Sequence, residues 1–147
     1  MAGMVTMGNH NYLGTIELDS SVKDGVENGS FVCVNFADKT AKPCTSNTQS
    51  AWFVENLNDK TDEELINKTD HDLTINAGEK LRLHKLLPDE HFQTTKAVDG
   101  DSLKEGDVVD VGTTGLITKT SGTPAQTFTI DSIETIWGEK TFCCIAN

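Results

Sequence analysis

The sequence is short of basic side chains. It holds one arginine, Arg82, and only twelve lysines and arginines in all against twenty-three aspartates and glutamates, for a net charge of −11. A surface this acidic is repelled by nucleic-acid phosphates and by anionic lipid. Arginine, the side chain that grips phosphate with two parallel hydrogen bonds, is nearly missing. Nucleic acid and membrane are therefore not expected partners. No run approaches the roughly 20 apolar residues that cross a bilayer as a helix. The opening MAGMVTMGNHNYLG has neither a basic flank nor an apolar stretch, so it does not read as a secretory signal, and residence in a cytoplasm is the default expectation. Without secretion, the glycosylation sequons at Asn28 and Asn67 carry no weight.

Signatures of reactive chemistry are also missing. The four histidines, His10, His71, His84 and His91, are scattered, and the four cysteines, Cys33, Cys44, Cys143 and Cys144, contain no C-x-x-C spacing, so no zinc site is expected. Acidic clusters at Asp99-Gly100-Asp101 and around Asn58–Glu64 do not fit a calcium-binding loop and read as solvated turns. There is no G-x-S-x-G elbow and no glycine-rich phosphate loop leading into a helix. The expectation is a protein that is not an enzyme, with no catalytic, metal or cofactor-binding residue and no cofactor. The cysteines read as free thiols acting as small hydrophobes in strands. A Cys33–Cys44 bridge across a hairpin is the alternative, which a reducing compartment opposes.

What is present is turn chemistry at short intervals. Asp24-Gly25, Asn28-Gly29, Ala77-Gly78, Asp99-Gly100, Glu105-Gly106, Ser121-Gly122 and Trp137-Gly138 each mark a turn. Between them lie β-branched and aromatic runs at 14–18, 31–36, 52–57, 80–85, 92–97, 107–111, 115–119, 127–137 and 141–146. Many short strands at this spacing predict a mainly β chain, a compact β-sandwich or barrel of short antiparallel strands. Leu81 and Leu83 alternate with Lys80, Arg82 and His84, and Val109 and Val111 flank the acidic Asp110, as half-buried strands do. In the 127–137 run the apolar phase breaks near Asp131-Ser132, where a β-bulge would restore it. One short helix is expected at 61–69, opened by the capping box of Thr61 and Glu64.

At 147 residues the chain is long enough to bury a core without a disulfide or metal staple. Residues 14–147 read as a single β domain, with a division into two lobes near 58–76 as the other option. Residues 1–13 do not resemble a strand. Met4, Val5, Met7 and Tyr12 stand there among glycine, asparagine and histidine. The plain reading is a frayed terminus. The functional reading is an arm that orders on a neighbouring subunit, a role that suits the adaptable methionine side chain. Most aromatic residues fall inside strands and read as core, whereas Trp52 and Trp137 stand at strand ends and are candidate subunit contacts.

Several segments, taken in order, resemble the head decoration (cement) proteins of tailed bacteriophages. These are GVENGSFVCVN at 25–35, WFVENL at 52–57, NAGEKLRLHKLLPDEHFQTT at 76–95, LKEGDVVDV at 103–111 and the closing AQTFTIDSIETIWGEKTFCCIA. The resemblance spans about four-fifths of the chain and leaves out the N-terminal stretch and the paired cysteines. It implies a virion structural protein that binds the outer capsid surface and stabilises the head by adding contacts between major capsid subunits. The implied partners are the major capsid protein and copies of itself, as dimers or trimers. A neck, tail or head-fibre-base component and a carbohydrate-binding β-sandwich are the competing readings, the latter with Trp52 and Trp137 lining its groove.

Overall fold

A computed structural model describes residues 11–57 and 73–147. In chain order the first seven strands are β1 (Tyr12–Leu18), β2 (Val26–Glu27), β3 (Phe31–Asn35), β4 (Thr40–Pro43), β5 (Trp52–Val54), β6 (Thr74–Ile75) and β7 (Lys80–His84). The remaining five are β8 (His91–Thr94), β9 (Val108–Asp110), β10 (Thr118–Lys119), β11 (Phe128–Ile136) and β12 (Glu139–Ala146). The chain is mainly β, as the spacing of turn signals predicts. The helix expected at 61–69 lies outside the described residues; among the described residues the helical element is a single 3-10 turn, Gly100–Ser102.

β1, β4, β3, β5 and β7 close into a barrel in that order, and β10, β9, β11, β12 and β8 form a second sheet. β2 and β6 make a two-stranded ribbon, and their Val26 and Ile75 pack into the barrel core. The change from one sheet to the other falls between His84 and His91. The barrel departs from the all-antiparallel expectation at one ladder, because β1 runs parallel to β4. A closed ring with an odd number of strands cannot alternate in direction all the way round. With the β4–β3, β3–β5, β5–β7 and β7–β1 ladders all antiparallel, the fifth must be parallel.

Period-2 alternation decides what each strand buries. In β7 Leu81 and Leu83 are fully buried while Lys80 and Arg82 face solvent, as the sequence pattern requires. β3 and β5 bury both faces. Val32 and Val54 point into the barrel with Ile16, Leu18, Leu81 and Leu83, whereas Phe31 and Phe53 belong to the core shared with the second sheet. There Phe31 lies 5.7 Å edge-on to Phe92 and 5.2 Å in a stack with Phe128, centroid to centroid. The two cores are thus joined through adjacent residues of the same strands.

Polar contacts reinforce the seam. The Phe31 N–H donates to the Gly115 carbonyl at 2.7 Å, and Gly115 sits at φ 78 where a Cβ would strike the Phe31 carbonyl oxygen. The Thr94 hydroxyl donates to the Gly29 carbonyl at 2.8 Å, and Lys96 pairs with Glu27.

The bulge expected near Asp131-Ser132 is present as a register shift between Ile130 and Ser132 in the β11–β12 ladder, and it returns Ile133 to the core. β1 begins at Tyr12, two residues ahead of the expected 14, because Leu13 packs against the barrel core. Asp110 corrects a second expectation. It is not the solvated partner of Val109 and Val111 but is itself 1% exposed. Its carboxylate accepts from the Gly112 N–H (2.7 Å), Asn47 Nδ2 (2.9 Å), Thr120 Oγ1 (3.1 Å) and the Ser121 N–H (3.2 Å), which satisfies a buried charge with four donors.

Candidate functional site

An open cleft of about 810 Å³ lies between the barrel wall of β5 and β7 and the edge of the second sheet formed by β8 and β12. Strand alternation builds it. Phe53 and Phe92, on core-facing positions, give it an apolar floor with ring centroids 5.1 Å apart, while residues at the strand ends supply a polar rim. On the barrel side His84 Nε2 stands 3.7 Å from Glu55 Oε2, and the Tyr12 ring tilts against His84 at 5.4 Å. Asn11 enters from the N-terminal side, where its Nδ2 donates to Glu90 Oε1 at 3.2 Å and its carbonyl accepts from the Lys85 N–H at 2.7 Å. On the opposite side Gln93 Nε2 donates to Cys143 Sγ at 3.5 Å.

The rim holds titratable groups. The second Glu90 carboxylate oxygen already accepts from the Leu87 N–H at 2.9 Å. Cys144 is buried, and burial, with the neighbouring Cys143 adding to it, pushes its thiol up to about 12, far from a working thiolate. Among the described residues no three His, Cys, Asp or Glu side chains converge as metal ligands. The arrangement offers shape, an apolar floor and hydrogen-bonding groups.

Trp137 lines this cleft and is 76% exposed. It occupies the first of the two turn positions between Ile136 and Glu139, with φ 51 at Trp137 and φ 79 at Gly138, the two left-handed residues of a type I′ hairpin. A tryptophan in this conformation is uncommon, since a bulky side chain crowds its own backbone there.

Of the residues expected to contact a partner, Trp137 lines the cleft, and Tyr12 is not on its lining but tilts its ring against the lining residue His84. Trp52 is not on the lining either. Its ring packs half-buried against the barrel core under the Lys85 ammonium, 5.7 Å from the ring centre. Met4, Val5 and Met7 lie outside the described residues. The polar rim escaped the sequence reading because Asn11, Glu55, His84 and Gln93 come from four separate segments, which the barrel and its packing against the second sheet bring to one cleft. No protein-family model, no curated protein and no solved structure matches the chain.

Proposed function

We propose that the protein is a structural component of a tailed-bacteriophage virion that binds the outside of the capsid and adds contacts between major capsid subunits. Support comes from the ordered sequence resemblance over four-fifths of the chain. The observation on which the reading chiefly rests is Trp137. A large aromatic side chain is kept 76% exposed at a left-handed hairpin position on the lining of the cleft. Exposed tryptophans anchor interfaces.

The physics is mass action. A ligand that binds only the assembled lattice stabilises it, and repetition over a symmetric shell makes the gain collective. The −11 charge suits a position outside the genome compartment. The partners in this reading are the major capsid protein and other copies of this chain. The deciding experiment is co-sedimentation of the purified protein with expanded, undecorated heads of the encoding phage. Saturation at a fixed number of copies per capsomer supports decoration. A handful of copies in one ring per particle points to a neck or tail role, and no binding rejects the proposal.

One observation favours a second reading. Trp137 lines the same cleft as the amides of Asn11 and Gln93 and the carboxylates of Glu55 and Glu90, the combination by which carbohydrate-binding modules hold sugars. Glycan-array binding by the isolated chain, abolished in Trp137→Ala, would favour it.

A further inference from the structure

Cys33 lies in β3, and Cys44 follows the last residue of β4. The β3–β4 ladder sets Val32 opposite Pro43 and Cys33 opposite Lys42, and the Cys44 N–H donates to the Phe31 carbonyl at 3.3 Å. Cys44 is therefore the diagonal neighbour of Cys33 across the ladder. Phe31, Cys33 and Cys44 fall on the face turned toward the second sheet, with Cys33 packed against the core that contains the other two. The two Sγ atoms are 2.6 Å apart, inside the contact distance of non-bonded sulfurs and a small movement from the ~2.05 Å of the covalent bond.

We infer that Cys33 and Cys44 are a dithiol–disulfide pair that closes by exchange with a low-molecular-weight disulfide such as oxidised glutathione, clipping β3 to the end of β4 at the seam between barrel and second sheet. The pair is built asymmetrically. Cys33 is partly exposed and lines a surface hollow of about 310 Å³ with Gln49 and Lys42, whereas Cys44 is fully buried. The hydrogen bond from Cys44, aided by the Lys85 ammonium, holds the Cys33 thiol below its ordinary range, and the same bond together with burial pushes Cys44 up.

Cys33 is thus the attacking sulfur and Cys44 the resolving one. The Cys33 thiolate attacks one sulfur of oxidised glutathione, whose S–S bond breaks and releases a glutathione thiolate that takes up a proton. Cys44 then attacks the Cys33 sulfur as a thiolate, its proton passing to solvent, and expels the second glutathione. Two protein thiols are oxidised, one glutathione disulfide is reduced to two thiols, and no other reactant is needed. Proximity favours the second step despite the high proton affinity of Cys44. Cys143 and Cys144 offer no such route. They are successive residues of β12 on opposite faces, one half-buried beside Gln93 and the other in the core.

The inference concerns the isolated chain and does not rest on the capsid reading. Full-length protein, reduced and purified under nitrogen, is incubated with oxidised glutathione at neutral pH. It is followed by intact mass, non-reducing peptide mapping and calorimetry. Expected are loss of the mass of two hydrogens, a cross-link joining the Cys33 and Cys44 peptides, and a Tm higher by roughly 5–10 °C that dithiothreitol reverses. Cys33→Ala and Cys44→Ala abolish the link and the Tm rise, and Cys143→Ala keeps both. Four free thiols after incubation, a glutathione left on Cys33, or a bridge mapped elsewhere overturns the inference. The wild-type peptide map decides the matter even if Cys44→Ala fails to fold.

Discussion

Phe31 and Phe53 stand opposite each other in the β3–β5 ladder with ring centroids 5.3 Å apart, and both turn away from the barrel interior toward the second sheet. Their chain neighbours Val32 and Val54 turn inward. Strands with two buried faces transmit the loss of either core to the other, because one backbone cannot leave its place on one side alone.

Cooperative unfolding of both sheets follows. Trp52 reports on the barrel and Trp137 on the second sheet, so Trp137→Phe and Trp52→Phe each leave one local fluorophore. Their urea transitions are expected to coincide, the usual test of two-state behaviour. Two separated midpoints would show that the sheets unfold independently. Phe31→Ala, which strips the ring shared with Phe53, Phe92 and Phe128, is expected to cost about 3–5 kcal/mol and to lower both midpoints together.

The Asp110 carboxylate ties the loop at Asn47 to the β9–β10 turn through four donors. Asp110→Ala leaves those donors without their acceptor and is expected to destabilise by about 3 kcal/mol in chemical denaturation. Asp110→Asn keeps the volume. With its amide nitrogen in the Oδ2 position it meets three donors with a donor, so a loss of more than about 1 kcal/mol is expected there too. A neutral Asp110→Asn would mean that the network is dispensable.

Lys85 sits where its charge favours the thiolate of Cys33, while its ammonium also donates to Ser50 Oγ at 2.5 Å and the Ala51 carbonyl at 3.1 Å. The reactive species of a thiol is the thiolate. The rate of Cys33 alkylation should therefore rise with pH and level off below the pH of an ordinary thiol. Lys85→Met removes the favourable charge, so the Cys33 proton is held more tightly and the profile moves to higher pH. Iodoacetamide kinetics with peptide-resolved mass spectrometry measure this, and an unmoved profile would remove Lys85 from the account.

Much of this fold is legible in the residues. Leu81 and Leu83 alternate cleanly because one face of β7 meets solvent, and the phase break after Ile130 marks the bulge. Two kinds of feature stay hidden. Two-residue strands such as Val26–Glu27 and Thr74–Ile75 are too short to show a period, and only the barrel core gives them a reason to be extended. Asp110 reads as solvent-facing because charge at an alternate position usually is, and its four donors are supplied by residues as distant as Asn47. The cleft shares this origin. Its rim is assembled where the barrel meets the second sheet, a meeting that no local pattern encodes, whereas Trp137-Gly138 is visible in the sequence as a turn but not as a left-handed tryptophan.

Trp137 allows stability and binding to be separated by a single substitution. At φ 51 a non-glycine residue with a full side chain costs roughly 1–2 kcal/mol against the extended or right-handed alternatives. Asn-Gly is the pair best suited to a two-residue type I′ hairpin. Trp137→Asn should therefore relax the β11–β12 turn and raise stability by up to about 1 kcal/mol. If the indole is kept for contact with a capsid, the same substitution weakens co-sedimentation with undecorated heads. The two readouts then move in opposite directions, which a purely structural tryptophan would not produce. A lower Tm in Trp137→Asn would instead assign the indole to packing along the cleft wall. Unchanged head binding would remove the hairpin tip from the contact surface.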